Sequence, residues 1–356
     1  MPQAYLNRIA TAVPDNDVHA SFIAYAPTLL TDPRRQVLLK RMISKAQIEH
    51  RYSFVKPPTP DGESASDPDV LFHPGRFPDT ACRMQFFERH AFALARKALD
   101  RLELRACGHE ITHLILTTCT GFYAPGIDLQ VVEHYGLRPS VERTVIGFMG
   151  CYAALNALKL ARHIVRSEPD SKVLILNLEL CTLHLQEKDD LEQLLAFLIF
   201  ADGCAASLIS RQPVGLELQS FSSTVIPSTA EQISWRIGAL GFDMVLLGSV
   251  PQIIAKGLPN ISAAVLAGGR PEDIEHWAVH PGGRTILDAV QAGLGIAEEK
   301  LTAARKILRC YGNMSSATVM FVLEDMMRAG MRAGRGCGMA FGPGLTVESM
   351  AFRPAA

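Results

Sequence analysis

An α/β fold made of two similar halves is predicted from three observations. The run KVLILNLE, Lys172 to Glu179, is apolar without alternation, as expected of a strand buried on both faces and of a sheet covered by helices on both sides. Strand-like and helix-like segments alternate along nearly the whole chain, and the second half repeats the style of the first. Between Val145 and Val165 (VIGFMGCYAALNALKLARHIV) a β-branched run reaches Gly147 and Gly150. It then gives way to a segment whose polar residues Asn156, Lys159, Arg162, His163 and Arg166 recur at helical spacing, so a strand, a tight turn and a helix follow one another. The Gln212-Pro213-Val214-Gly215 stretch is the expected boundary, dividing the chain into residues 1–213 and 214–356.

Taken in order, Tyr5 to Val13 alternates as a strand that Pro14 ends, and helices are expected from about Val18 and Asp32, where Asp32-Pro33 is a start signal. Pro57 to Pro74, rich in Pro, Asp, Ser and Gly, reads as a long surface loop. A long helix follows from about Pro78 to Leu102, then a strand from Ile111 to Thr118 and a helix ending near Gly136. After the strand at 172–179 come a helix from Leu191 to Phe200 and a strand from Ala201-Asp202-Gly203 through Ser210. The second half begins with a strand, Leu216 to Val225, and a helix, Val250 to Leu266. It continues with a strand at Glu275 to Val279, helices from about Thr285, Glu298 and Ser315, and strands at Cys337 to Phe341 and Leu345 to Phe352.

With 20% charged residues and a net charge of −1, the chain carries no electrostatic footprint for nucleic acid or an anionic membrane. The eight cysteines (Cys82, Cys107, Cys119, Cys151, Cys181, Cys204, Cys310 and Cys337) form no CxxC pair, and Met1 to Ala10 is not a secretory signal. Reduced thiols and a cytoplasmic protein are therefore expected. No metal site is expected, since His276 and His280 share a strand-like stretch and not a helix face. No apolar stretch is long enough to span a bilayer.

Three glycine turns each present a reactive side chain. Cys151 opens a helix, where unpaired N–H groups and the positive end of the macrodipole favour a thiolate; the plain alternative is a cysteine serving as a small hydrophobe. His280, in WAVHPGGR, ends an apolar strand before a turn and helix, the place where α/β sites collect. A satisfied structural histidine would also fit there. Asn313, in YGNMSS, stands at a third helix start and would also serve as an N-cap. Together these residues supply the parts of carbon–carbon bond-forming acyl transfer. The cysteine attacks a thioester, the histidine holds it as thiolate and imidazolium, and His280 with Asn313 donates hydrogen bonds to a developing enolate. The cations Arg34, Arg35, Lys40, Arg41 and Lys45 make either a solvated helix face or a clamp for phosphates.

GFMGCYAALNALKLA, WAVHPGGRTILD, YGNMSSATVMFVLE and AFGPGLTVE, in this order, resemble the motifs of type III polyketide synthases, the chalcone and stilbene synthase-like enzymes. The similarity runs from near Arg41 to Glu348. It implies a thiolase-like five-layered αβαβα fold, a homodimer, and iterative condensation of malonyl-CoA on an acyl-CoA starter without a carrier protein or further cofactor. It also implies Cys151, His280 and Asn313 as the catalytic triad, Arg41 and Lys45 on the CoA phosphates, and Phe200 as a gatekeeper between CoA tunnel and cavity. The second gatekeeper position holds Met244, a flexible side chain that loosens the gate. Cys119, Cys181, His184 and Trp235 fall at positions that line the cavity in relatives, Ser315 follows the asparagine turn, and Ala124 replaces a larger residue that reaches the neighbouring subunit's cavity.

Trp235, in SWRIGALGFDMVL, resembles bacterial members that make alkylpyrones or alkylresorcinols. A fatty acyl starter extended two or three times is therefore the expected substrate, with each buried methylene stabilising by about 0.8 kcal/mol. Alternatively Trp235 shortens the cavity and favours a small or aromatic starter giving a short pyrone, phloroglucinol or chalcone-like product. An initiating ketoacyl synthase would share Cys, His and Asn in this order, but the AFGPG and HPGG turns favour the polyketide synthase. A papain-like protease would carry its cysteine near the mature N-terminus in a CGSCW-like context, unlike MGCYA. A non-enzymatic protein would show a Cys151 no more reactive than the other cysteines.

Overall fold

The computed structural model describes residues 2–57 and 67–355. The first half contains β1 (Tyr5–Ala12), β2 (Asn16–Asp17), α1 (His19–Tyr25), α2 (Pro33–Ala46), β3 (Tyr52–Ser53), α3 (Thr80–Arg101), β4 (His113–Thr118) and α4 (Ile127–Tyr135). It continues through β5 (Glu142–Gly147), α5 (Ala153–Ser167), β6 (Val173–Leu180), α6 (Leu191–Ile199) and β7 (Asp202–Ser210). The second half contains β8 (Leu216–Val225), β9 (Ile233–Gly238), β10 (Gly241–Leu246), α7 (Val250–Val265), β11 (Ile274–Val279) and α8 (Arg284–Leu294). It ends with α9 (Thr302–Tyr311), α10 (Thr318–Arg328), β12 (Arg335–Gly342) and β13 (Thr346–Pro354).

Polar residues start and stop these elements where the sequence signals them. The carboxylates of Asp32, Asp79 and Asp190 accept from the first-turn N–H groups of Arg34, Cys82 and Glu192, capping α2, α3 and α6. Gly136 and Gly295 end α4 and α8 in the left-handed conformation. Half of the expected loop at Pro57 to Pro74 lies outside the described residues; residues 67–74 hold no helix, and their only strand pairing is a bridge between His73 and Arg76.

Nine strands form one sheet in the order β11-β12-β13-β8-β1-β7-β6-β4-β5. Reading outward from the centre, β1, β7 and β6 are antiparallel neighbours and β4 is parallel to β6. β8, β13 and β12 repeat the antiparallel pattern, with β11 parallel to β12. The halves thus share one strand plan. They meet where β1 pairs with β8, over Tyr5↔Glu217 and Leu6↔Leu216.

Helix α5 packs on β4, β6 and β7 of one half and on β8, β12 and β13 of the other, and α10 touches β1 and β7 as well as β11 and β12. These two helices fill the middle. α3 covers the outer face of the first half, while α7 lies on β8 and β13 of the second, giving the five-layered αβαβα order. The side chains of α5 that face the strands include Ala153, Ala154, Ala157 and Ala161, all fully buried; their small size lets the two halves of the sheet close on one helix. β6 is buried at every position, while β5 is the sheet's outer strand and leaves Val145 half exposed.

The hairpin β9–β10 is absent from the sequence reading. Its loop, Ala239-Leu240, carries none of the usual two-residue hairpin signals; Gly238 and Gly241 flank it instead, Gly241 at φ +107°.

Gly215 holds the junction of the halves. It sits at φ +88°, and a Cβ there would lie 2.1 Å from the carbonyl oxygen of Leu6, in backbone that cannot swing aside. Gly215→Ala is expected to destabilise the protein by about 2 kcal/mol or more. Chemical denaturation measures this, and an unchanged midpoint would show that β1 and β8 are not held at this spacing.

Candidate active site

Three loops, each following a strand or helix end, meet at one cavity. After β5 the chain passes through Phe148 (φ 55°) and Gly150 (φ 73°) into a 3-10 turn, Gly150–Tyr152, that carries Cys151 and leads into α5. Gly150 is required twice over, because a Cβ would also lie 2.4 Å from Cδ of Pro343 in the AFGPG turn. That turn, from the other half of the chain, is therefore seated on the cysteine loop. Gly342 lies as closely against the ring of Tyr152.

His280 continues β11 by one residue, its N–H donating to the Met339 carbonyl at 2.7 Å. The residue is 1% exposed, and neither ring nitrogen has a hydrogen-bond partner. Asn313 is held through its backbone, donating to Ile199 O at 2.7 Å and accepting from Ala201 N at 2.9 Å. Its side-chain Oδ1 accepts from Ser315 N at 2.8 Å and from Thr318 Oγ1 at 3.3 Å. Asn313 is not the N-cap, which is Met314; its oxygen is bonded within the turn before it, and the carboxamide nitrogen is left facing Cys151 Sγ at 4.0 Å and Gly282 O at 3.4 Å.

The cavity encloses ≈ 60 Å³ and is lined by Cys151, His280 and Asn313 together with Cys119, Cys181, Phe200, Trp235, Met244 and Ser315. Trp235 and Met244 are directly opposed on the β9–β10 hairpin, and the Trp235 indole donates to Cys119 O at 2.7 Å. His184 is not in the wall. It lies behind Trp235, stacked on Phe242 at 4.0 Å, with its ring nitrogens bonded to Thr120 O and Phe242 N. Arg41 and Lys45 lie exposed on α2, away from the cavity wall and without ion-pair partners among the described residues. Ala124 precedes a cis proline, Pro125.

Burial dominates the electrostatics. It pushes the Cys151 thiol up to about 11, reinforced by the nearby Glu179 charge, and hydrogen bonds from Ser315 and Asn313 offset only part of this. Burial also pushes the His280 imidazolium down to about 3. The thiolate expected from the helix start is thus overturned, because desolvation outweighs the fields of one short turn. Both shifts favour the thiol and the neutral imidazole. Cys119 is held well above the usual thiol range by its burial and accepts from Gly150 N at 3.1 Å, so it steadies the nucleophile loop.

Glu179 was missed in the sequence, although an acidic residue near the end of an otherwise apolar strand marked it. It is fully buried and accepts from Cys119 N, Thr120 Oγ1 and Ser316 Oγ at 2.9, 2.9 and 2.6 Å, bracing the loops behind the cavity. Burial raises its carboxyl to about 7.

The chalcone and stilbene synthase N-terminal domain profile matches residues 3–213, and the C-terminal domain profile of the same family matches residues 217–355. The chain belongs to the chalcone and stilbene synthase family. It is a type III polyketide synthase, an acyltransferase of decarboxylative condensation. It is 34% identical to the alpha-pyrone synthesis polyketide synthase-like Pks18 of Mycobacterium tuberculosis, over 98% of this chain and 91% of that one. It is 36% identical to bisdemethoxycurcumin synthase of Oryza sativa subsp. japonica, over 68% of this chain and 65% of that one. The fold superposes on 1,3,6,8-tetrahydroxynaphthalene synthase of Streptomyces coelicolor with a TM-score of 0.87 at 27% identity, covering 99% of both chains. A further match is the type III domain of Steely1 from Dictyostelium, with a TM-score of 0.88 at 25% identity, covering 99% of this chain and 100% of that one. This thiolase-like architecture and family membership exclude the protease and non-enzymatic readings and favour the polyketide synthase over the ketoacyl synthase.

The neutral resting pair has a kinetic signature. Inactivation by iodoacetamide at Cys151 is expected to accelerate about tenfold per pH unit from pH 7 to 10, as the thiolate fraction climbs toward its midpoint. A rate that levels off below pH 8 would show instead a standing thiolate–imidazolium pair.

Proposed function

We propose that Cys151 carries an acyl chain taken from an acyl-CoA starter, that His280 and Asn313 serve its extension by malonyl-CoA, and that the extended chain closes to an alkylpyrone or alkylresorcinol. The observation that carries the catalytic assignment is the orientation of Asn313. With Oδ1 bonded to Ser315 and Thr318, only the N–H donors face the sulfur.

Cys151 Sγ attacks the starter carbonyl, forming a C–S bond while the bond to CoA breaks. The thiol proton passes to His280 and from there to the departing CoA thiolate. Neither ring nitrogen of His280 is bonded to protein, so the imidazole is free to take a proton and to give it. Malonyl-CoA then enters, the bond to its carboxylate breaks, and the electron pair left behind forms an enolate as CO₂ departs. Asn313 Nδ2–H and a His280 N–H donate to that oxygen. The enolate carbon attacks the acyl carbon and expels the Cys151 thiolate, leaving a β-ketoacyl-CoA two carbons longer.

The exposed cations Arg41 and Lys45 on α2 suit the CoA phosphates, and α2 packs on α6, whose end delivers Phe200 to the cavity. With Met244, Phe200 forms the gate. The outer edge of β5, with the half-exposed Val145 beside Phe122 and Met149, suits pairing with a second copy into a homodimer. Beyond the reacting groups the wall is apolar, with Ile233, Leu246, Val250 and Ile286 among its residues, which suits an acyl tail. An alpha-pyrone is the product class in the name of one relative.

The second reading, a small or aromatic starter, places Trp235 as the residue that shortens the cavity of ≈ 60 Å³. A fatty acyl tail requires Met244 and Leu246 to turn aside. Purified protein given labelled malonyl-CoA and a starter panel separates the two. Turnover that rises from acetyl-CoA toward C6 to C16 acyl-CoAs supports the lipid reading, and preference for acetyl- or coumaroyl-CoA overturns it. Asn313→Asp replaces the donors with an acceptor and is expected to slow malonyl-CoA decarboxylation roughly 10²–10³-fold while leaving Cys151 open to alkylation. Decarboxylation at the wild-type rate would remove Asn313 from the chemistry.

A further inference from the structure

Two helix ends meet at the asparagine turn. α6 ends at its C-cap Phe200 and α9 at Gly312, and the chain beyond them lies side by side as a short parallel bridge, Phe200 against Asn313. Asn313 N donates to Ile199 O at 2.7 Å, and Ala201 N donates to Asn313 O at 2.9 Å. Ala201 N thus bonds across the bridge and not back to its own helix, which leaves the last-turn carbonyl of Phe197 and the carbonyl of Phe200 to find donors elsewhere.

Arg51 meets both. Its Nη1 donates to Phe197 O and Phe200 O, each at 2.7 Å, and its Nε donates to His19 Nδ1 at 2.9 Å. Burial and the Arg51 charge hold the His19 imidazolium down at about 4, so that ring remains an acceptor. The neighbouring backbone holds α9, with Glu49 N and His50 N donating to Arg309 O at 2.8 and 3.2 Å. Gly312 closes the packing: at φ +70°, a Cβ there would lie 2.9 Å from Arg51 Cγ and 2.7 Å from Ile199 O. Residues 49–51 are therefore fastened to both helix ends, one from each half of the chain.

Arg51 is 2% exposed, and its guanidinium lies 4.6 Å from the Phe22 ring centroid. Among the described residues no carboxylate stands within ion-pair distance of it, and the buried carboxylate of Asp202 is bonded to Thr182 through both oxygens. A buried cation without a carboxylate is costly to stability, so stability alone does not account for its place. What the site requires is a planar fork whose N–H groups span two carbonyls in fixed directions, which arginine supplies and lysine does not.

We propose that Arg51 is a positioning residue for decarboxylation: by capping α6 at Phe200 it fixes the bridge, and through the bridge it aims the Asn313 carboxamide into the catalytic cavity. It touches no reacting atom, and its role rests on Asn313 as the enolate donor. Oδ1 of Asn313 is bonded to Ser315 and Thr318, so the side chain cannot turn to make up for a moved backbone. A displacement of the bridge becomes a displacement of Nδ2, and misplacing a catalytic group by about 1 Å costs roughly 10²-fold in rate.

The test is a double-mutant cycle, read as malonyl-CoA decarboxylation without added starter. Arg51→Met is expected to lower kcat about 10²-fold, with KM for malonyl-CoA within about twofold of wild type and Cys151 alkylated by iodoacetamide at the wild-type rate. Arg51→Lys, which keeps donors but not the fork, should fall between the two. Asn313→Ala alone is expected to lose roughly 10²–10³-fold, and adding Arg51→Met to it should cost no more than about a further twofold. If Arg51→Met does not fold, Arg51→Lys in the two backgrounds completes the same cycle. An Arg51 effect of full size in the Asn313→Ala background, or wild-type decarboxylation by a folded Arg51 variant, would overturn this role and leave that of Asn313 standing. Wild-type decarboxylation by Asn313→Ala would remove the role of Asn313 first, and that of Arg51 with it.

Discussion

Everything in the site depends on how closely two sheet halves approach a single helix. The nucleophile loop comes from the first half and the histidine and asparagine loops from the second, so the three can share a cavity only if the layer between the halves is thin. Four alanines of α5 make it thin. A larger side chain at any of them would part the halves and separate Cys151 from His280 before it disturbed either residue. The contact of Gly150 with Pro343, and of Gly342 with Tyr152, is the same constraint at the mouth of the site. There the loops of the two halves are seated on each other with no room for a Cβ.

That thin layer also sets the electrostatics. Groups drawn so far from water are pushed toward their neutral forms, Cys151 upward and His280 downward. On the proposed function, charge then appears only during the reaction, when a proton leaves sulfur or an electron pair arrives on an oxygen. Fixed donors act most strongly in such a setting, since no water competes and nothing must reorient. Asn313 is such a donor because its other end is bonded within its own turn. Glu179 tightens the arrangement from behind, and with its carboxyl raised to about 7 it places little charge beside the thiol in the more acidic part of the neutral range.

What could be read from the sequence was what local chemistry dictates. The strand at 173–180 was visible because burial on both faces leaves no alternation, and the caps at Asp32 and the glycine turn before Cys151 were visible because they act within a few residues. The three reactive side chains stood out because each follows a turn at the end of a strand or helix, although their meeting was a guess until the two halves were folded together. Desolvation of Cys151 was not legible, since a helix-start argument counts nearby dipoles and leaves out burial, which depends on residues far along the chain and pushes the thiol up. His184 was assigned to the wall by likeness alone and is separated from it by Trp235, whose position depends on a hairpin that the sequence does not announce. Glu179, Asp202 and Arg51 escaped notice for the reverse reason: in sequence a buried charge looks like a surface one.

The hairpin and Phe200 together determine which chains this framework can accept. Trp235 and Met244 stand on one face of β9–β10, and the indole is tied to the Cys119 carbonyl. The tryptophan is therefore fixed relative to the nucleophile loop, while the methionine opposite it has three free torsions. Extra space can be gained on the methionine side without breaking a hydrogen bond, but not on the tryptophan side. Phe200 differs from both, since its backbone is held by Arg51 and flanked by the bonds that position Asn313. A shift of the Phe200 backbone would therefore also move the loop of Asn313, so that on the proposed function the gate and the enolate donor are one mechanical unit.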